Sequence, residues 1–230
     1  MSKSYVNFIN KFKIKYKFKF FDEKINKSGD ILLRHDVDYD TDYALYLAKI
    51  NNKLGIKSTF FFLLRSEFYN LISKKNILIL NSIEKLGAKI GLHFNEPIYN
   101  KAIKNNFLKE IKILQQYLKN KINIISFHRP VKNLINFDKK YYGFNHTYMN
   151  KFSKEIIYFS DSQNKFRFGN PINSLEYKDN MSMQILLHPI WWRFDFNKNS
   201  NYKFKKYLNN YSIKLKKELS ENSKIFKVQK

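Results

Sequence analysis

The stretch ILLRHDVDYDTDYALYLAKINNKLGIKSTFFFLL, residues 31–64, decides the fold. Its first seven residues, ILLRHDV, open with the apolar density of a buried strand. From residue 41 the rhythm changes. Ala44, Leu45, Leu47, Ala48 and Leu54 make one apolar helical face, Asp40 or Thr41 supplies an N-cap, and Gly55 supplies the stop. KSTFFFLL (57–64) is a continuous apolar run, hence a second buried strand. Strand, helix and strand joined by short connections read as a parallel βαβ unit.

The same alternation runs outward. KNILILNSIEKLG (75–87) reads as a helix ending at Gly87, and AKIGLHF (88–94) as a strand. Phe107, Ile111, Leu114 and Leu118 step by four, three and four, which predicts an amphipathic helix over 104–119. INIISFH (122–128), EIIYFSD (155–161) and MQILLHP (183–189) read as strands, and 202–221 as a Lys-rich helix. Upstream, KIKYKFKF (13–20) alternates Lys with apolar residues, which predicts a half-buried strand. A basic amphipathic membrane segment would show a helical period instead. No repeat or Pro/Gly/Ser-rich linker interrupts the chain. One α/β domain follows: a helix/strand extension over 1–29, a core over 30–195, and a basic C-terminal helix over 196–230.

The 230 residues are 43% hydrophobic, enough for one packed core. There is no cysteine, so disulfides and thiolate metal sites are excluded and any metal must use His, Asp or Glu. No run of about 18 apolar residues is present, so no transmembrane helix is expected. The N-terminus lacks an apolar signal core, which gives a cytoplasmic expectation. The net charge of +24 invites a nucleic-acid or anionic-surface reading. The excess is spread lysine among many Asn and Ile, however, a compositional bias that solvated faces absorb. Only five of the 43 basic residues are arginine: Arg34, Arg65, Arg129, Arg167 and Arg193. Where Lys is the default cation, a retained Arg marks a planar fork that Lys cannot replace.

In parallel α/β folds the ligand sits outside the carboxyl ends of the strands. Polar residues gather there. His35, Asp36 and Asp38 end the first core strand, His93 the third, His128 the fourth (with Arg129 next), Asp161 the fifth and His188 the sixth. Only His146 among the five histidines lies elsewhere. Strand alternation puts Arg34, Asp36 and Asp38 on one face and His35 on the other. Two neighbouring carboxylates repel unless a cation or a shared proton intervenes. A divalent metal on one, with the other free as a base, resolves the conflict. Asp40 and Asp42 are explained by the start of the following helix.

LLRHDVD, STFFFLLRSEFYN, GLHF, SFHRP, YFSDS and LLHPIWW also occur in an order that resembles the motifs of the polysaccharide deacetylases. This is carbohydrate esterase family 4, with chitooligosaccharide-deacetylase homology. The similarity covers roughly residues 30–195 and is nearest a divergent branch of small proteins tied to surface-polysaccharide biosynthesis. It implies a distorted (β/α)7-type barrel and metal-dependent removal of acetyl groups from sugars. It implies Asp36 as general base, Asp38 and His93 as metal ligands, Arg129 as the residue that orients the base, Asp161 as the fourth-motif carboxylate and His188 as general acid. One position departs: the second metal histidine of the family falls here on Pro97. His128 is the best substitute ligand, ahead of Asn95 and Glu96.

The implied cofactor is one divalent ion, zinc first, with cobalt, manganese, iron or nickel as alternatives. The implied partner is an amino-sugar, nucleotide-sugar or lipid-linked glycan, with no specific nucleic acid; the oligomeric state is open. Arg34, Arg65, Glu67, Asn95, Arg167, Asn170, Trp191, Trp192 and Arg193 are expected to contact substrate. The competing readings are that Arg65 and Glu67 pair with each other, that Trp191 and Trp192 form a plug, and that a turn around Gly169 explains Arg167 and Asn170. An inactive deacetylase-like carbohydrate-binding protein is the alternative function, and a basic nucleic-acid or anionic-surface binder the third.

Overall fold

A computed structural model describes residues 3–135, 137–167, 169–223 and 225–226. The chain begins with α1 (Lys3–Lys13) and a short strand β1 (Lys17–Lys19). It then alternates through β2 (Asp30–Val37), α2 (Thr41–Leu54), β3 (Thr59–Phe62), α3 (Lys74–Lys85), β4 (Lys89–Phe94), α4 (Ile103–Gln115) and β5 (Ile124–Phe127). Shorter pieces follow: α5 (Lys132–Ile135), β6 (Asn145–His146), α6 (Asn150–Ser153), β7 (Ile157–Ser160) and α7 (Leu175–Lys178). β8 (Met183–Leu187), α8 (Pro189–Arg193) and α9 (Ser200–Asn222) come last.

Among the described residues every pairing between these strands is parallel, in the order β6-β5-β4-β3-β2-β8-β7, with β1 added beside the start of β2. The seven-strand path curls with helices outside it, the (β/α)7-type barrel expected, and stays open between β6 and β7. All eight residues of β2 are buried, and its side chains divide by parity. Ile31, Leu33 and Val37 join the large core under the helices. Leu32 points inward, where it meets Phe61, Ile124, Phe21 and Phe152 in a smaller core. Gly91 of β4 faces the same interior. A Cβ there would come 2.5 Å from the Ile124 carbonyl oxygen and 2.6 Å from the Phe61 ring, so only glycine fits. Burying Phe60, Phe61 and Phe62 stabilises the fold by roughly 1.5–3 kcal/mol each.

The connections place the site. Asp40 caps α2 by accepting from the Asp42 N–H at 2.7 Å, and Gly55 ends it in the left-handed region at φ 68°. His35 points outward and stacks on Phe60 at 4.4 Å between ring centroids. Its Nε2 lies 3.2 Å from the Tyr5 hydroxyl and 3.3 Å from Asn51 Nδ2, and Tyr5 donates to Asn51 at 2.7 Å. Burial drives His35 down to about 3, so it stays neutral and clips α1 to the barrel.

Some elements differ from expectation. Residues 13–20 hold the end of α1, a turn and only the three strand residues of β1. The helical spacing of Tyr5, Phe8, Ile9 and Phe12 buries one face of α1 through its last turn, and Ile14 is left 86% exposed. The helix expected to reach 119 stops at Gln115, where Gln115 and Glu84 side chains take up the following N–H groups. Among the described residues no helix is long and apolar enough to cross a membrane.

Candidate active site

The parallel sheet delivers its functional groups to one edge. Asp38 follows β2, His93 lies near the end of β4, and His128 follows β5. Asp38 Oδ1 lies 3.3 Å from His93 Nε2 and 3.2 Å from His128 Nδ1, and those two nitrogens are 3.2 Å apart. The three atoms form a nearly equilateral triangle. A tetrahedron with zinc-like bonds of 2.0–2.1 Å has edges of roughly 3.3–3.4 Å. His93 Nδ1 sits 2.6 Å from Ser126 Oγ, which fixes the ring with Nε2 toward Asp38. Among the described residues, buried Asp38 Oδ1 has no potential donor other than these two rings. A lone acceptor facing two imidazole nitrogens suits a divalent ion, and the residues fit one. Burial opposes charge on Asp38, but the rings of His128 and His93 and the nearby His188 more than offset it. Its carboxyl is held well below the usual range.

Two dyads flank the triangle. Beneath the floor, Arg34 clasps Asp36 through a fork: Nε donates to Oδ1 at 2.8 Å and Nη2 to Oδ2 at 2.7 Å. The guanidinium also lies over the rings of Tyr148, at 5.1 Å, and Phe61, at 5.7 Å. Burial would raise the Asp36 carboxyl, and the fixed charge of Arg34 reverses this and lowers it. Asp36 Oδ2 lies 3.6 Å from His93 Nε2, which makes it the second carboxylate at the triangle. At the side, Asp161 is fully buried and His188 Nδ1 contacts its Oδ1 at 2.6 Å. The His188 N–H donates to both Asp161 oxygens at 3.0 and 3.1 Å, and Trp192 Nε1 donates to Oδ2 at 2.6 Å. Burial pushes His188 down, but the Asp161 carboxylate outweighs it and holds the imidazole up at about 9. Its Nε2 faces the triangle, 3.9 Å from Asp38 Oδ2.

Above these groups opens a cleft of about 990 Å³. Arg65, Glu67, Asn95, Arg129, Arg167 and Trp191 line it, alongside Asp38, His128 and His188. Four expected substrate contacts lie elsewhere. Arg34 has no exposed surface and is consumed by Asp36. Both tryptophans are buried, at 5% and 2% exposed; neighbouring helical positions diverge, so Trp191 only edges the cleft while Trp192 turns inward to Asp161 and stacks on Phe196 at 4.2 Å. Arg193 lies over Tyr46 at 4.3 Å in a separate groove between α2 and α9. Asn170 accepts from the Ile172 N–H at 3.1 Å and starts a turn. The orienting role expected of Arg129 also falls differently: Arg129 is exposed in the cleft wall, and the guanidinium on Asp36 is that of Arg34. Glu96 turns away from the triangle to accept from Tyr141 at 2.7 Å.

Sequence reasoning missed Tyr69, whose hydroxyl donates to the Val37 carbonyl at 2.6 Å and accepts from the Leu63 N–H at 3.0 Å. It ties the ends of β2 and β3 together below the cleft. It also missed Gln163, held in the left-handed region at φ 60° in the cleft wall, for which the sequence carries no signal.

No protein-family model and no curated protein matches the sequence. Solved structures similar to this chain include carbohydrate esterase family 4 proteins and polysaccharide deacetylases. One is the chitin deacetylase from the fungal pathogen Colletotrichum lindemuthianum: 13% identity, 85% of this chain and 86% of that chain covered, TM-score 0.49. Another is a peptidoglycan deacetylase from Bacillus subtilis: 15% identity, 85% and 96% covered, TM-score 0.42. A third is a family pseudoenzyme from Bacillus anthracis: 14% identity, 85% of this chain covered, TM-score 0.43. The chain spans 63% of that pseudoenzyme, just under two thirds of its length.

Proposed function

We propose that the protein is a metal-dependent hydrolase that removes an acetyl or similar small acyl group from an N-acylated amino sugar or glycan precursor of cell-surface polysaccharide. The observation that carries this reading is the Asp38–His93–His128 triangle set between the Arg34–Asp36 and Asp161–His188 dyads. Asp38, His93 and His128 would hold the ion. When bound, it supplies Lewis acidity toward a carbonyl and lowers the pKa of water.

The chain's own groups divide the proton work. Asp36 is the base, kept ionised and aimed by Arg34. Asp161 fixes the orientation of His188, and with its pKa near 9 the imidazole is protonated at neutral pH. Its Nε2–H is the acid for the leaving amine. Trp191, 5% exposed and packed on Phe204, backs the cleft wall from the core. Acetate release from an N-acetylated chitooligosaccharide, with elemental analysis of the purified protein, tests the reading. Release that a chelator stops supports it; bound metal without release from any acylated sugar overturns the enzyme. That second result belongs to the alternative of a deacetylase-like binding protein, which Pro97 in place of a ligand histidine favours.

A further inference from the structure

Resting on the deacetylase reading of this site, we propose that its substrate is a sugar carrying a phosphate or diphosphate ester, gripped by Arg65, Arg129 and Arg167. The chain has only five arginines, and two are committed away from the cleft. Arg34 is locked on Asp36 under the floor, and Arg193 lies over Tyr46 in another groove. The other three all line the one cleft. They arrive from different walls, Arg65 after β3, Arg129 after β5 and Arg167 after β7.

All three are exposed, and among the described residues none forms an ion pair. The Arg65 guanidinium lies 5.3 Å from the centre of the Tyr99 ring, a contact that positions the fork without occupying its N–H donors. The cleft holds two carboxylates against them. Asp38 faces the two histidines of the triangle, and Glu110, held by the Tyr99 hydroxyl near Arg65, lies outside the lining, which leaves Glu67 as the one other described carboxylate lining the cleft against three guanidinium groups. A neutral acetylated glycan offers these forks no counter-charge. A phosphate accepts two parallel N–H bonds from each planar guanidinium it meets, which a lysine cannot supply. The triangle lies at the floor and the arginines in the walls, so the phosphate belongs on the part of the sugar away from the acyl group. Phe68 and Ile98, 41% and 45% exposed, also line the cleft and give the group beyond the phosphate an apolar contact.

The test is calorimetric titration of the full chain with N-acetylglucosamine 1-phosphate, UDP-N-acetylglucosamine and neutral N,N′-diacetylchitobiose. The wild type is compared with the Arg65→Gln/Arg129→Gln/Arg167→Gln variant, its fold checked by thermal melting. The phosphorylated sugars should bind at least about tenfold more tightly than the neutral one, given the strength of charged hydrogen bonds. The variant should lose that difference, and added salt should weaken only the phosphorylated ligands. Equal binding of neutral and phosphorylated sugars, or an unchanged variant, overturns the proposal. Acetate release from the same ligands separates the two readings. Release with no preference for phosphate leaves the hydrolase and removes the arginine site. Arginine-dependent phosphosugar binding without release from any ligand does the reverse. A polyprenyl diphosphate sugar in detergent micelles, set against the UDP-sugar, assigns the diphosphate to a lipid or a nucleotide carrier.

Discussion

The two carboxylate dyads beside the triangle share a layout but differ in kind. Asp36 is clasped by a guanidinium that never loses its proton, and Asp161 by an imidazole that does. The first dyad lies under the floor with both side chains almost fully buried. The second reaches the cleft through His188, whose side chain is 14% exposed. A fixed charge keeps a carboxylate ionised and still; a titratable partner lets a proton leave toward the cleft. In the proposed mechanism the acid and base roles are thus set by the partner of each aspartate rather than by the aspartates themselves.

Breaking the first dyad should give the largest effects. Asp36→Asn should lower acetate release by about 10²–10⁴-fold while the metal content by elemental analysis stays unchanged. Full activity in that variant removes Asp36 from the chemistry. Arg34→Met strands a buried carboxylate, and denaturant unfolding should show a loss of about 3–5 kcal/mol. An unaltered midpoint would mean that Asp36 does not depend on its clasp.

The second dyad should announce itself through pH. The His188 pKa is raised from 6.5 to about 9, so its stabilising contribution is complete below the unfolded value of 6.5 and is lost as pH rises through 9. Acetate release should fall over the same alkaline range. Asp161→Asn should move that limb down toward 6.5 and lower the plateau by about 10²-fold, read from a pH–rate profile. A limb that does not move assigns the proton to another group. The smallest effect belongs to a residue outside both dyads: Arg193→Gln should leave acetate release within about twofold, as for an exposed side chain remote from the chemistry.

Much of this arrangement was legible in the sequence, for local reasons. Asp40 and Gly55 bracket α2 because a cap and a left-handed stop are chemical requirements of a helix end. Strand parity separated Arg34 and Asp36 from His35, since alternation admits no other assignment. What escaped depends on distance or depth. Arg129 stands in a motif beside a strand end, yet nothing local says that Arg34, two residues from Asp36 on the same face, already fills its carboxylate. Trp191 and Trp192 are one letter repeated, and only the turn of α8 sends one to the edge of the cleft and the other to Asp161. β6 is two residues long, too short for any period to mark it.

The pairing of β2 with β8 sets when the site can exist. Arg34 aligns with Leu186 across about 150 positions of chain, and His188 follows directly after β8. During synthesis β2, β3, β4 and β5 can dock on one another well before β8 leaves the ribosome. Asp36, Asp38, His93 and His128 are then in hand with one side of β2 still bare. That exposed edge must wait for nearly the whole core to be made, an interval in which it is open to chaperones or to other nascent strands.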